Sequence, residues 1–133
     1  MVLDLKYHRY YLGLLCWWLL WLVGCGNTAV SPPTPTPLSP EEAVGKAVYV
    51  RYCGACHSTQ LETIIVGPSL AGVATRAATR VPDQDARTYL YTSILEPDRY
   101  LVEGFPNSMP NNFGKQLSGE ELDAVVAYLF TLR

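Results

Sequence analysis

Cys53 and Cys56 stand three residues apart and His57 follows directly, giving the run Cys53-Gly54-Ala55-Cys56-His57. Three chemistries use such a set. A structural zinc site takes a Cys-x-x-Cys pair as half of a four-ligand tetrahedron. A thiol–disulfide centre takes the pair inside a βαβ unit, and covalent haem attachment takes two thioether sulfurs plus the adjacent histidine under the iron. Once the N-terminal leader described below is removed, the chain holds only His57 among histidines, only Met109 among methionines, and Cys25, Cys53 and Cys56 as its cysteines. Zinc is therefore short of ligands, and no alternating strand pattern offers a βαβ setting. Haem attachment uses all of the motif.

The leader is read from residues 1–24. Lys6, His8 and Arg9 precede an apolar run from Leu12 to Val23 that carries Trp17, Trp18 and Trp21. At about a dozen residues the run is short of the roughly 20 needed for a helical span and suits the apolar centre of a signal peptide. It ends in Leu22-Val23-Gly24-Cys25, which resembles a bacterial lipobox and predicts cleavage before Cys25 and lipid on that cysteine. An uncleaved helical anchor is the alternative. Both tether the chain, and both place everything after Cys25 on the extracytoplasmic, oxidising side of a bacterial cell membrane. Residues 25–40 then form a linker whose Ser31-Pro32-Pro33-Thr34-Pro35-Thr36-Pro37 cannot build a core. Roughly fifteen such residues in polyproline II at about 3.1 Å each span on the order of 45 Å.

Residues 41–133 are the expected domain, all-α. Ser39-Pro40-Glu41-Glu42 is a capping box with proline at the first helical position. The helix it opens leads into the haem motif, with Val44, Ala47 and Val48 on one face and Gly45 offering a close crossing point. Ser118-Gly119-Glu120-Glu121 is a second capping box, before an amphipathic stripe of Leu122, Val125, Val126, Leu129 and Leu132. Tyr128 and Phe130 read as core. Between the two, a turn at Gly67-Pro68-Ser69-Leu70 precedes a short helix through Leu70 to Arg76, and a longer one runs from Asp85 to Leu95, ended by Pro97. Pro106, Pro110, Asn111 and Asn112 predict an ordered loop around Met109.

In this order of motifs the chain resembles class I cytochromes c, over essentially all of residues 39–133. Gly45 and Tyr49 match the helix-crossing positions, Cys53-x-x-Cys56-His57 the haem motif, and Gly67-Pro68-x-Leu70 the turn after it; Pro97, Gly104, Met109-Pro110 and the helix through Val125 and Leu129 follow. The resemblance implies N- and C-terminal helices crossing, short helices wrapped around one haem, and iron ligated by His57 and Met109. It implies too that the Pro68 carbonyl holds the other His57 nitrogen and that Arg76 lies near a haem propionate, with Arg80 as a second candidate. Monohaem subunits of bacterial oxidases and of alternative complex III look similar in layout.

His/Met ligation raises an iron's potential and leaves no vacant position, so the expected function is one-electron transfer rather than enzymatic turnover. A labile Met109 would instead give a haem-based sensor or enzyme. Counted from Cys25, eight Lys and Arg face eleven Asp and Glu, a formal net of −3. No basic run suggests nucleic acid, and no lysine-rich face is evident. The expected partners are redox proteins, including a membrane oxidoreductase complex, and the membrane itself through Cys25. Whether the chain shuttles or is a fixed subunit is open at this point.

Overall fold

The computed structural model describes residues 36–133, so the predicted leader, the lipid site at Cys25 and most of the linker lie outside the described residues. Among the described residues the fold is helix and loop; the one β interaction is an isolated bridge between His57 and Ile64. No described helix is long and apolar enough to cross a membrane.

Helix α1 spans Pro40–Val48 and starts at the expected box: Ser39 Oγ accepts from the Glu42 amide at 3.2 Å, and the Glu42 carboxylate accepts from the Ser39 amide at 2.7 Å. Helix α5, Gly119–Thr131, repeats the device with Ser118 and Glu121 at 3.1 and 3.0 Å. Each box satisfies amides that a first helical turn leaves without partners. These two helices form the most extensive pairing in the domain.

They cross at Gly45. A Cβ built there would run into the backbone carbonyl of Ala124 and lie 2.8 Å from Tyr128 Cβ, so only a residue without a side chain lets the α5 backbone in. Burial on α1 follows that crossing. Gly45, Val48 and Tyr49 are buried, whereas Val44 and Ala47 are exposed, which corrects the stripe expected from the apolar pattern. On α5, Ala124, Val125, Val126, Tyr128 and Leu129 are buried, with Tyr128 tilted against Tyr49 at a centroid distance of 5.5 Å. Phe130 is only half-buried and lies beneath the Arg87 guanidinium, 5.3 Å from its ring centre.

The rest encloses a space beside this pair. Helix α2 is Val73–Ala77, shorter and later than the segment through Leu70 to Arg76 expected from sequence, because Gly72 in a left-handed conformation (φ +68°) starts it. Helix α3 is Ala86–Leu95, capped by Asp85 Oδ1 accepting from the Thr88 amide at 3.0 Å and finished just before Pro97. A four-residue helix α4, Phe113–Gln116, follows the Met109 loop and was not expected; Phe113 anchors it in the core.

Candidate haem-binding cleft

Helix α1 does not stop at Val48. It widens into a π-helical turn, Tyr49–Cys53, closed by the Gly54 amide donating to the Tyr49 carbonyl at 2.8 Å. Single π turns inside α-helices occur often at functional sites. This one hands the chain directly to the motif, where the Cys56 and His57 amides both donate to the Cys53 carbonyl, at 3.0 and 2.9 Å. The Tyr49 hydroxyl donates to the His57 carbonyl at 2.6 Å, tying the motif to the helix crossing.

The segment from Ser58 to Ala71 folds back on the motif. Cys56 O accepts from the amides of Val66 and Gly67 at 3.1 and 2.9 Å, and the Leu70 amide donates to Ser58 O at 2.8 Å. His57 Nδ1 lies 2.8 Å from the Pro68 carbonyl, so that nitrogen carries the proton and donates, leaving Nε2 as the ring nitrogen with a free lone pair. This is the contact implied by the resemblance. Gly67 has a role that sequence reasoning missed: a Cβ there would lie 2.9 Å from both ring nitrogens and closer still to the carbon between them. The backbone thus lies flat against the imidazole, and its glycine is required by that contact.

Cys53, Cys56, His57 and Met109 all line one cleft of about 1360 Å³, counted with its open mouth, whose apolar walls include Leu70, Leu90, Ile94, Phe113 and Leu129. The cleft has the apolar walls, paired cysteines and N/S donors that a covalently attached haem needs. Pro68 and Arg76 line it as well. Arg76, however, directs its guanidinium at backbone: one nitrogen donates to the Ala71 carbonyl and the other to Ser69 O at 2.8 Å.

The two cysteines are not joined to each other by a disulfide. Burial, with a smaller contribution from Cys56, pushes the Cys53 thiol up to about 11. A thiol–disulfide catalyst needs the opposite, a thiolate favoured near neutral pH. Nor do three or more His, Cys, Asp or Glu side chains among the described residues come together closely enough to hold one metal ion between them, as a protein-only zinc site would need.

Helices wrapped around one apolar cleft, with Cys-x-x-Cys-His and a methionine loop both opening into it, define a c-type cytochrome. The chain belongs to the family described as cytochrome c oxidase, cbb3-type, subunit III, whose model matches residues 40–129. Haem c, with its iron, is accordingly its covalently bound cofactor, and haem-based electron transfer its role. No curated protein matches the chain.

Proposed function

We propose that this chain is a membrane-tethered one-electron carrier whose haem is attached through Cys53 and Cys56 and ligated by His57 and Met109. The observation that carries the reading is the convergence of these four side chains on one cleft, with His57 Nδ1 already committed to Pro68. Bound haem supplies a one-electron ferric/ferrous couple.

The protein's own residues do the rest. Pro68 and Gly67 fix the orientation of the imidazole, so Nε2 is presented in a single tautomer. The Met109 loop brings a thioether sulfur to the same cleft, and a His/Met set favours the ferrous state relative to other axial pairs. Leu90, Ile94, Phe113 and Leu129 lower the water content around the metal. The lipid on Cys25 and the proline-rich linker hold the domain on the extracytoplasmic side of a bacterial membrane, where its effective concentration near membrane partners is high. The family's description as an oxidase subunit supports service within, or beside, a respiratory oxidoreductase complex.

Replacing Met109 by Ala tests the ligand set. The near-infrared sulfur-to-iron band of the oxidised protein should disappear and the reduction potential fall. An unchanged band and potential would assign the sixth position to another group. Mass spectrometry of the native N-terminus tests the tether: a lipidated Cys25 is expected, and an intact Met1 overturns it.

A further inference from the structure

The loop between the haem motif and Pro68 carries apolar side chains that the cleft leaves mostly outside. Leu61, Ile64, Ile65 and Val66 are 79, 64, 52 and 49 % exposed. Together they present roughly 450 Å² of apolar surface, a size at which a patch on a small domain is often functional. From Ser58 to Ala71 the one charged residue is Glu62, and the segment has no Lys, Arg or aromatic residue.

The loop is not slack. The Gln60 amide donates to Ser58 Oγ at 2.9 Å, and Ser69 Oγ donates to the Gln60 carbonyl at 2.7 Å. Ile64 pairs with His57 in the isolated bridge, and the Val66 amide donates to the Cys56 carbonyl. Side chains presented on a backbone tied in this way bind with little ordering cost. The ties also fix where the patch stands. It is joined to His57 and Cys56, the residues assigned above to the iron and the porphyrin edge, and Val66 itself lines the cleft.

Size and charge narrow what covers it. A stable dimer buries about 800 Å² on each partner, so a second copy of this chain seated here falls short by nearly half. Weak electron-transfer encounters bury less than about 600 Å² a side, which the patch matches. A strongly charged partner surface finds only Glu62 to pair with in this loop. A lipid surface meets none of the basic residues and aromatic rings that hold interfacial segments.

We infer that Leu61, Ile64, Ile65 and Val66 form the docking surface for a redox protein that presents an uncharged, apolar collar around its own cofactor. The inference rests on the electron-carrier reading given above. In the docked pair one electron passes between the haem and the partner's cofactor, oxidising one and reducing the other, with no bond made or broken. Apolar burial drives the association, so salt has little effect on it.

The test uses membranes of the source cells carrying the full-length holoprotein. Haem oxidation by an oxygen pulse and re-reduction by added NADH are followed at the c-type absorption bands. Leu61→Ser with Ile65→Ser spares the residue paired with His57 and the one lining the cleft. It should slow at least one of the two steps about tenfold or more, with the bands and the reduction potential unchanged. The native rates should change less than about twofold between low and high salt. Leu38→Ser with Val44→Ser removes two exposed apolar side chains elsewhere and should leave both rates as they are. A Leu61/Ile65 variant with native rates, or native rates that fall steeply with salt, overturns the docking surface and leaves the carrier reading standing. Native haem that the membranes neither oxidise nor reduce overturns both. In phosphatidylcholine nanodiscs, protection of the loop amides from hydrogen exchange by the bilayer alone would assign the patch to lipid. A dimer of the detergent-purified holoprotein that the variant lacks would assign it to a second copy, and either result overturns the inference. Should the double variant fail to accumulate as holoprotein, Ile65→Thr, which keeps the branched shape, decides by the same rates, and unchanged rates count against the surface.

Discussion

Gly45→Ala sets two effects of opposite sign against each other. In an isolated helix the change is favourable by about 1 kcal/mol, since alanine has the higher helix propensity. At the crossing the new methyl meets the Ala124 carbonyl and Tyr128 Cβ, groups that belong to or sit directly on the α5 backbone and cannot rotate away. Overpacking of this kind costs about 1–3 kcal/mol where side chains can yield, and more where they cannot. The backbone obstacle puts this site at or above the upper end, and subtracting the propensity gain leaves a net loss of roughly 2 kcal/mol or more. For a domain of this size that is a fall in unfolding midpoint of about 8–16 °C. Thermal unfolding of the holoprotein followed by far-ultraviolet circular dichroism measures it. Gly119→Ala is the matched control, because nothing lies within 4 Å of a Cβ at that position. A Gly45→Ala protein that melts with or above the native protein would refute the close crossing, and with it the reason Val48 and Tyr49 rather than Val44 and Ala47 face the core.

Gly67→Ala should leave the fold intact but tilt or displace His57, because the added carbon meets both ring nitrogens at 2.9 Å; a changed electron paramagnetic resonance spectrum of the ferric protein checks it. Tyr49 and Tyr128 both have phenols raised above the ordinary 10.0, chiefly by burial, so the unfolded chain loses these protons first as pH rises. Stability should therefore be complete below about pH 10 and decline through the alkaline range above it, and Tyr128→Phe should flatten that decline in unfolding curves recorded against pH.

The parts of the fold legible in the sequence are those governed by local rules. Both capping boxes form with the expected partners, and α3 begins at Asp85 and ends before Pro97 as its signals indicate. The haem motif, the Gly67-Pro68 turn and Met109 fall into one cleft in the order the resemblance implies. What escaped the sequence depends on partners distant along the chain. The apolar pattern of α1 points to Val44 and Ala47, but burial goes to the face where a missing side chain admits α5, and a count of apolar residues does not register a missing side chain. The π turn has no side-chain signature, and α4 is a single turn containing Gly114, too weak in propensity to stand out until Phe113 is packed. Arg76, the first candidate for a propionate contact, also donates to the carbonyls of Ser69 and Ala71, ties that no sequence pattern announces.

The Pro68–His57 hydrogen bond and the flat contact of Gly67 also bear on speed. A one-electron exchange is fast when the nuclei around the metal need to move little between the two charge states, that is, when the reorganisation energy is small. A ring gripped at its outer nitrogen and blocked across one face, on a segment bonded through Tyr49 to the helix crossing, has little freedom to respond to a change of charge at its inner nitrogen. The rigidity that these three contacts confer on one imidazole thus lowers the kinetic barrier to giving or taking an electron in either direction, and leaves the direction to the difference in potential between the haem and its partners.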